Sequence, residues 1–166
     1  MAVDSRARYF KSDENRETIT KRKFKQNEPL KTRKYIYSST GAVYEGTWKG
    51  GLRHGIGTMT WPDGATFTGK WEYNYACGKG KFVHADGDVY EGSWLNSRAN
   101  GFGVYTNTKG SRYEGQWKDD QQDGQGYEIR PEGGSYRGSY LQGKKHGKGK
   151  YVYADGSKYD GEWFEN

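Results

Sequence analysis

From residue 44 onward the chain repeats one short pattern in which aromatic and glycine positions alternate with polar ones. YEGTW at 44–48, FTGKW at 67–71, YEGSW at 90–94, YEGQW at 113–117, YRGSY at 136–140 and YDGEW at 159–163 follow one another every 23 residues, with no insertion. A period of two is that of a β-strand, whose side chains point to opposite faces in turn. Tyr90, Gly92 and Trp94 then share one face and Glu91 and Ser93 the other. The positions matching Glu91 are Glu45, Thr68, Glu114, Arg137 and Asp160, polar in every unit. The pattern therefore predicts one aromatic face and one wet face.

Each unit also predicts a second strand, such as GIGTMTW at 55–61, reached through a loop such as KGGLRH and left through a turn such as PDGA. Asp63-Gly64, Asp86-Gly87 and Asp155-Gly156 suit tight turns because glycine adopts positive φ without a Cβ clash. Four phases of the repeat hold 22 of the 26 glycines. Glycine weakens a strand interior unless something packs over it, and a ring from a neighbouring strand can lie flat there. Gly46, Gly55 and Gly57 and their equivalents are the expected floor for the rings. Because 23 is odd and the facing period is two, each unit needs one odd-length loop or glycine bulge, and the Asp-Gly turn is the expected place.

The resulting fold class is all-β: an elongated, single-layer antiparallel sheet of consecutive hairpins. It has five full units, a closing strand at Tyr159–Trp163 and an opening strand at Tyr35–Ser38. Residues 34–166 form this domain and residues 1–33 a mostly irregular tail, extended or partly helical on binding. A one-layer sheet leaves strand edges unpaired at both ends, so docking of partners or self-association through the ends is expected.

Composition sharpens this division. The formal charge of +6 comes entirely from residues 1–40, which carry 11 Lys and Arg against 5 Asp and Glu; residues 41–166 carry 16 of each. The tail has basic clusters at Lys21, Arg22, Lys23 and Lys25 and at Lys31, Arg33 and Lys34, whereas its Phe10, Ile19 and Phe24 fit no apolar stripe. Alone it is expected to be disordered, ordering on an acidic surface such as tubulin, an anionic membrane or nucleic acid. A single cysteine, Cys77, excludes an internal disulfide. Neither a signal peptide nor an apolar run of membrane-spanning length is present, which leads to the expectation of an intracellular protein.

The pattern YEGxWxxGxxHGxGxxxxxDGxx, clearest as YEGTWKGGLRHGIGTMTWPDGA at 44–65, resembles the MORN repeat. That resemblance covers about residues 35–166. It implies a curved antiparallel sheet serving as a scaffold or docking surface, as in axonemes, cytoskeletal and junctional membrane assemblies, or beside lipid kinases and SET-domain methyltransferases. It carries over no catalytic residue. Unit two departs from the pattern with EYNYACG, unit four with KDDQQDG, and unit five with Tyr140 for tryptophan and PEGG for DG.

Candidate chemistry is sparse. His54, Cys77, Asn100, Asp123 and His146 occupy one phase of the repeat, so about 9.5 Å separates successive members, too far to share an ion. The turn aspartates 63, 86 and 155 are separated in the same way. The G-x-G of each unit precedes no helix that could present its N-terminus to phosphate. No metal, cofactor or catalytic residue is expected. The cluster Lys144, Lys145, Lys148 and Lys150 suits an anionic headgroup or an acidic partner. Base stacking on the aromatic face is disfavoured, because the rings are needed over glycine and no basic groove accompanies them.

These readings converge on a non-enzymatic scaffold or adaptor, placed by the resemblance in a ciliary or flagellar axonemal or other cytoskeletal assembly. Its expected protein-docking face is Tyr44, Trp48, Phe67, Trp71, Tyr90, Trp94, Tyr113, Trp117, Tyr136, Tyr140, Tyr159 and Trp163. The alternative is a peripheral module reading anionic phospholipid through the basic loop and tail.

Overall fold

The computed structural model describes Tyr9, Phe10 and residues 28–165. The basic cluster Lys21, Arg22, Lys23 and Lys25 lies outside the described residues.

Twelve strands form one sheet in chain order: β1 (Lys31–Ile36), β2 (Val43–Lys49), β3 (Leu52–Thr60), β4 (Thr66–Glu72), β5 (Tyr75–Val83), β6 (Val89–Leu95), β7 (Arg98–Thr106), β8 (Arg112–Lys118), β9 (Gln121–Arg130), β10 (Gly134–Leu141), β11 (Lys144–Val152) and β12 (Lys158–Trp163). Each strand pairs antiparallel with its chain neighbours, in agreement with the predicted fold class. The opening strand differs from expectation, because β1 starts at Lys31 and stops at Ile36. Tyr37 and Ser38 belong instead to the connection, where the Tyr37 N–H donates to the Ala42 carbonyl at 2.8 Å and the Gly41 N–H to the Tyr37 carbonyl at 2.7 Å. The sheet thus begins three residues ahead of the expected boundary.

The two turns of a unit do different work. Lys49 pairs with Leu52 around a two-residue turn, Gly50-Gly51, with both φ positive. At the other end Trp61–Ala65 make a five-residue connection, in which the Gly64 N–H donates to the Trp61 carbonyl at 3.0 Å and the Trp61 N–H to the Ala65 carbonyl at 2.9 Å. Gly64 sits at φ +89°. This is the odd element that the 23-residue period demanded, in the Asp-Gly turn where it was expected.

Each hairpin also holds a distortion that parity did not require. In β2–β3 the register passes from Gly46 opposite Gly57 to Trp48 opposite Arg53, so the second strand has two extra residues. Gly55, at φ +90°, lies within them, and the Thr47 hydroxyl donates to the Ile56 carbonyl at 3.2 Å and also bonds the His54 carbonyl. An even insertion returns Trp48 and Arg53 to a common face, so the bulge leaves the alternation intact.

Candidate protein-docking face

The first strand of each unit places its rings as the sequence predicted. Tyr90 lies over the glycine pair Gly92 and Gly103: a Cβ added to Gly103 would stand 2.6 Å from Tyr90 Cζ, and one added to Gly92 would stand 2.8 Å from the Phe102 carbonyl oxygen. The Tyr90 hydroxyl then donates to the Ser93 carbonyl at 3.0 Å, a bond that Tyr44, Tyr113, Tyr136 and Tyr159 repeat in their own units. The tryptophan of each following unit donates its Nε1–H back to a floor glycine carbonyl, Trp71 to Gly57, Trp94 to Gly80 and Trp117 to Gly103, at 3.0–3.1 Å.

The rings form an unbroken edge-to-face chain across the sheet. Tyr44–Trp71, Phe67–Trp94, Tyr90–Trp117, Tyr113–Tyr140 and Tyr136–Trp163 join successive units at 4.9–5.4 Å between centroids. Such pairs add to the stability from area burial, each by about 1 kcal/mol. Burial raises the hydroxyls of Tyr44, Tyr113, Tyr136 and Tyr140 above the ordinary phenol range.

This packing corrects the predicted docking face. Ten of its twelve residues, from Tyr44 through Tyr140, are buried at 5% exposure or less, and Phe67, Trp71 and Trp94 have Phe10 packed against them, so with that segment in place a partner cannot reach the ten. Only Tyr159 and Trp163, on the edge strand, are accessible in part. The reason is that rings lying flat over glycine and edge-on to each other become the core of the sheet. What this face leaves accessible belongs to part of a second row that the aromatic-glycine motif did not flag, in which Tyr105, Tyr151, His84, Asn107 and Arg130 are half-buried and Tyr153 is exposed, while Met59, Phe82, Trp61 and Glu128 are buried. That row consists of Met59, Phe82, Tyr105, Glu128 and Tyr151, one per unit, with Trp61, His84, Asn107, Arg130 and Tyr153 two residues further on.

The second row changes character along the sheet. In the last units Glu128 is 4% exposed, yet it accepts from Lys145 Nζ at 3.0 Å, from the Tyr140 hydroxyl at 3.1 Å and from Arg130 Nε at 3.2 Å. Burial pushes its carboxyl up, but the hydrogen bond and charge of Lys145, with Arg130 and Tyr140, outweigh this and hold it below the ordinary range. Tyr140 is thus no weakened copy of the tryptophans, because its hydroxyl serves this ion pair. The same pairing removes Lys145, 7% exposed, from the predicted anionic-ligand cluster. Lys148 and Lys150 are exposed on the opposite face, in register with Glu162 and Asp160, and Lys144 lies 3.5 Å from Glu165. The lysine run is therefore split between two faces and matched by carboxylates.

The remaining predicted basic contacts lie in β1. Lys31, Arg33 and Lys34 are exposed; the Arg33 guanidinium covers the Trp48 ring at 4.1 Å and Lys34 sits 4.0 Å from Glu45. Arg33 also faces Gly46, the place where other second strands carry a floor glycine.

Three further features escaped the sequence. The two-residue turns reach back to clasp the preceding unit: Asn74, Ser97 and Asp120 accept from the backbone N–H of Arg53, Ala76 and Ala99 at 2.7–3.1 Å. Across the polar face an open depression of about 720 Å³ is lined by Lys79, Lys81, Glu91, Phe102, Val104 and Arg112 among others. Lastly, Tyr9 and Phe10, from the segment expected to be disordered alone, are both buried against the aromatic face. They pack on the chain's own rings, with one carboxylate, Asp63, accepting from the Tyr9 hydroxyl. Among the described residues no group of three His, Cys, Asp or Glu side chains could hold a metal ion.

The family model described as MORN repeat matches residues 44–66, 67–89, 90–112, 113–135 and 136–158. No curated protein matches the chain. Among solved structures, the wild-type TCP10 domain of Danio rerio CPAP is 14% identical, with 78% of this chain and 71% of that chain covered and a TM-score of 0.28. A point mutant of that domain is also 14% identical, covering 78% of this chain and 77% of that one at a TM-score of 0.32. Neither likeness carries an argument about this chain.

Proposed function

This chain belongs to the MORN-repeat family, whose members are scaffold or membrane-binding repeat proteins, and we propose that it is a non-enzymatic scaffold that docks protein partners. The observation that carries the proposal is the division of labour on the aromatic face. A sealed ladder of rings repeats in every unit, while the row beside it varies: Met59, Phe82 and Glu128 are buried, Tyr105 and Tyr151 half-buried, and two residues further on His84, Asn107 and Arg130 are half-buried and Tyr153 exposed. A repeated small ligand would call for repeated contacts. A surface whose accessible chemistry changes from His84 through Asn107 and Arg130 to Tyr153 suits one extended protein partner.

The assembly we favour is cytoskeletal, in a ciliary or flagellar axoneme, where the basic tail would meet an acidic surface such as tubulin. Cross-linking of the native assembly with mass-spectrometric identification tests this. Cross-links from the second row and from Lys31 and Lys34 to axonemal proteins support it, and their confinement to proteins of another compartment refutes the placement. The competing reading is anionic membrane, supported by exposed Lys148 and Lys150. Its mark would be co-sedimentation with phosphatidylserine vesicles that fades with salt and is lost on replacing those lysines.

A further inference from the structure

Phe10 sits at the centre of an aromatic box. Its centroid lies 5.4 Å from Trp61, 5.7 Å from Phe67, 5.8 Å from Trp94 and 6.2 Å from both Trp71 and Phe82. Tyr9 packs beside it, 5.1 Å from Trp61 and 5.4 Å from Phe82. Two polar contacts fix the backbone and the ring: Trp61 Nε1 donates to the Tyr9 carbonyl at 3.1 Å, and the Tyr9 hydroxyl donates to Asp63 Oδ2 at 2.6 Å. Both contacts come from positions that differ in other units. The matches to Trp61 are His84, Asn107, Arg130 and Tyr153, and those to Asp63 are Asp86, Lys109, Glu132 and Asp155. No other unit combines an indole donor with a carboxylate acceptor.

The cover is also local. Phe82 is 1% exposed beneath Tyr9 and Phe10, whereas Tyr105 and Tyr151, its equivalents further along, remain half-buried. One donor, one acceptor and five ring walls together form a receptor for a short peptide with two adjacent aromatic residues. We propose that units one and two carry a peptide-docking site for such a pair, that the chain's own Tyr9-Phe10 fills it, and that a protein partner with the same chemistry binds there by displacing this segment. The proposal rests on the protein-docking reading above and names the partner chemistry and regulation of one part of that face. Twenty residues of chain separate the occupant from β1, and covalent linkage over that length corresponds to an effective concentration on the order of millimolar. Set against a peptide dissociation constant of about 10–100 μM, this weakens a competing peptide by about ten- to a hundredfold.

The test uses a fluorescent peptide of residues 5–14 and the full chain. Tyr9→Ala/Phe10→Ala is expected to bind the peptide at least tenfold more tightly than the wild type, and a peptide with both aromatics replaced by alanine is expected not to bind. Equal affinity for the two chains, or no binding by a variant with an unchanged circular dichroism spectrum, overturns the proposal. Should that variant not fold, a protease site introduced between residues 15 and 20 separates the segment from an otherwise wild-type sheet. Gain of peptide binding after cutting and gel filtration supports the site, and absence of gain overturns it. A sedimentation dimer that dissociates on Tyr9→Ala/Phe10→Ala would transfer the occupant to a second copy and overturn the intramolecular assignment. If cross-linking finds no protein partner while the peptide binds, the scaffold reading fails and the site stands. Partners cross-linked only to units three to five, with no peptide binding, give the reverse result.

Discussion

Units one and two and units four and five are built on the same ladder but present opposite surfaces. In the first pair Met59 and Phe82 form a buried apolar row, with Tyr9 and Phe10 packed on Phe82; in the second, Glu128 and Lys145 form a buried ion pair to which Arg130 and Tyr140 add hydrogen bonds. Below both rows the arrangement is the same, a tyrosine or phenylalanine over two glycines and an edge-on ring from the next unit. The difference lies in the row beside the ladder, whose chemistry changes while the ladder stays the same. The ladder can be held constant while a single phase of the repeat is varied from methionine to glutamate.

The largest expected effect breaks the common layer in both halves. Gly92→Val would drive a Cβ to 2.5 Å from the Gly103 Cα, and Gly138→Val would meet the Gly149 Cα at 2.5 Å. Both contacts are backbone and cannot give way, so each variant should lose about 3 kcal/mol of stability in urea unfolding. If the ladder is shared, the two losses agree; an unchanged midpoint for either would show that its glycine has no packing role.

Next in size is the ionic half alone. Glu128→Ala leaves the Lys145 ammonium buried without its carboxylate and should cost about 2–3 kcal/mol. Glu128→Met combined with Lys145→Met, which copies the apolar chemistry of unit one, should recover most of that loss. A double variant as unstable as Glu128→Ala would mean that the ion pair, and not its volume, is what the site needs.

Acid should separate the halves more gently. The Glu128 carboxyl titrates below its unfolded value of 4.5, so its stabilisation is fully present above that pH and is lost as pH falls through the folded value. The stability difference between wild type and Glu128→Gln, measured by urea unfolding at stepped pH, should therefore shrink below about pH 4.5. A difference that stays constant or grows there would contradict the pairing.

The smallest expected effect concerns the ends. For another copy's β12 to continue onto β1, its Tyr159 ring would have to lie where Arg33 stands in place of a floor glycine. At the equivalent Gly57 a Cβ would already be 2.7 Å from Tyr44 Cε2. Head-to-tail stacking through β1 is thus blocked, which narrows the expected self-association to other routes. Arg33→Gly should raise the weight-average mass in sedimentation only slightly, by weak concentration-dependent association. A wild-type chain that already forms filaments through β1 would refute the block.

Much of this molecule was legible in its sequence. The period gave the order of the strands, the odd residue was found in the Asp-Gly turn, and the rings were correctly placed over Gly46 and Gly57 and their equivalents, whereas Gly55, also expected in the floor, lies in the bulge at φ +90° beside Thr47. Two aspects were not legible. The rings were expected to form the docking face and instead form the core, because a motif shows which side chains share a face but not what covers them. Lys145 was grouped with its sequence neighbours, whereas the pleat turns it away from Lys144, Lys148 and Lys150 and toward a carboxylate 17 positions back.

What the sequence determined by itself is the hairpin repeat, the facing parity, the Asp-Gly turn and the glycines beneath the rings. Each depends on residues a few positions apart, whose steric preferences act locally and recur every unit. Only the tertiary structure decided which second-row residues remain accessible, how Glu128 is paired, and that Tyr9 and Phe10 lie against Trp61 and Asp63. Those contacts join positions as many as 54 apart, occur once, and follow from the free energy of burying particular rings and charges together. A unique long-range contact leaves no periodic trace in the chain that forms it.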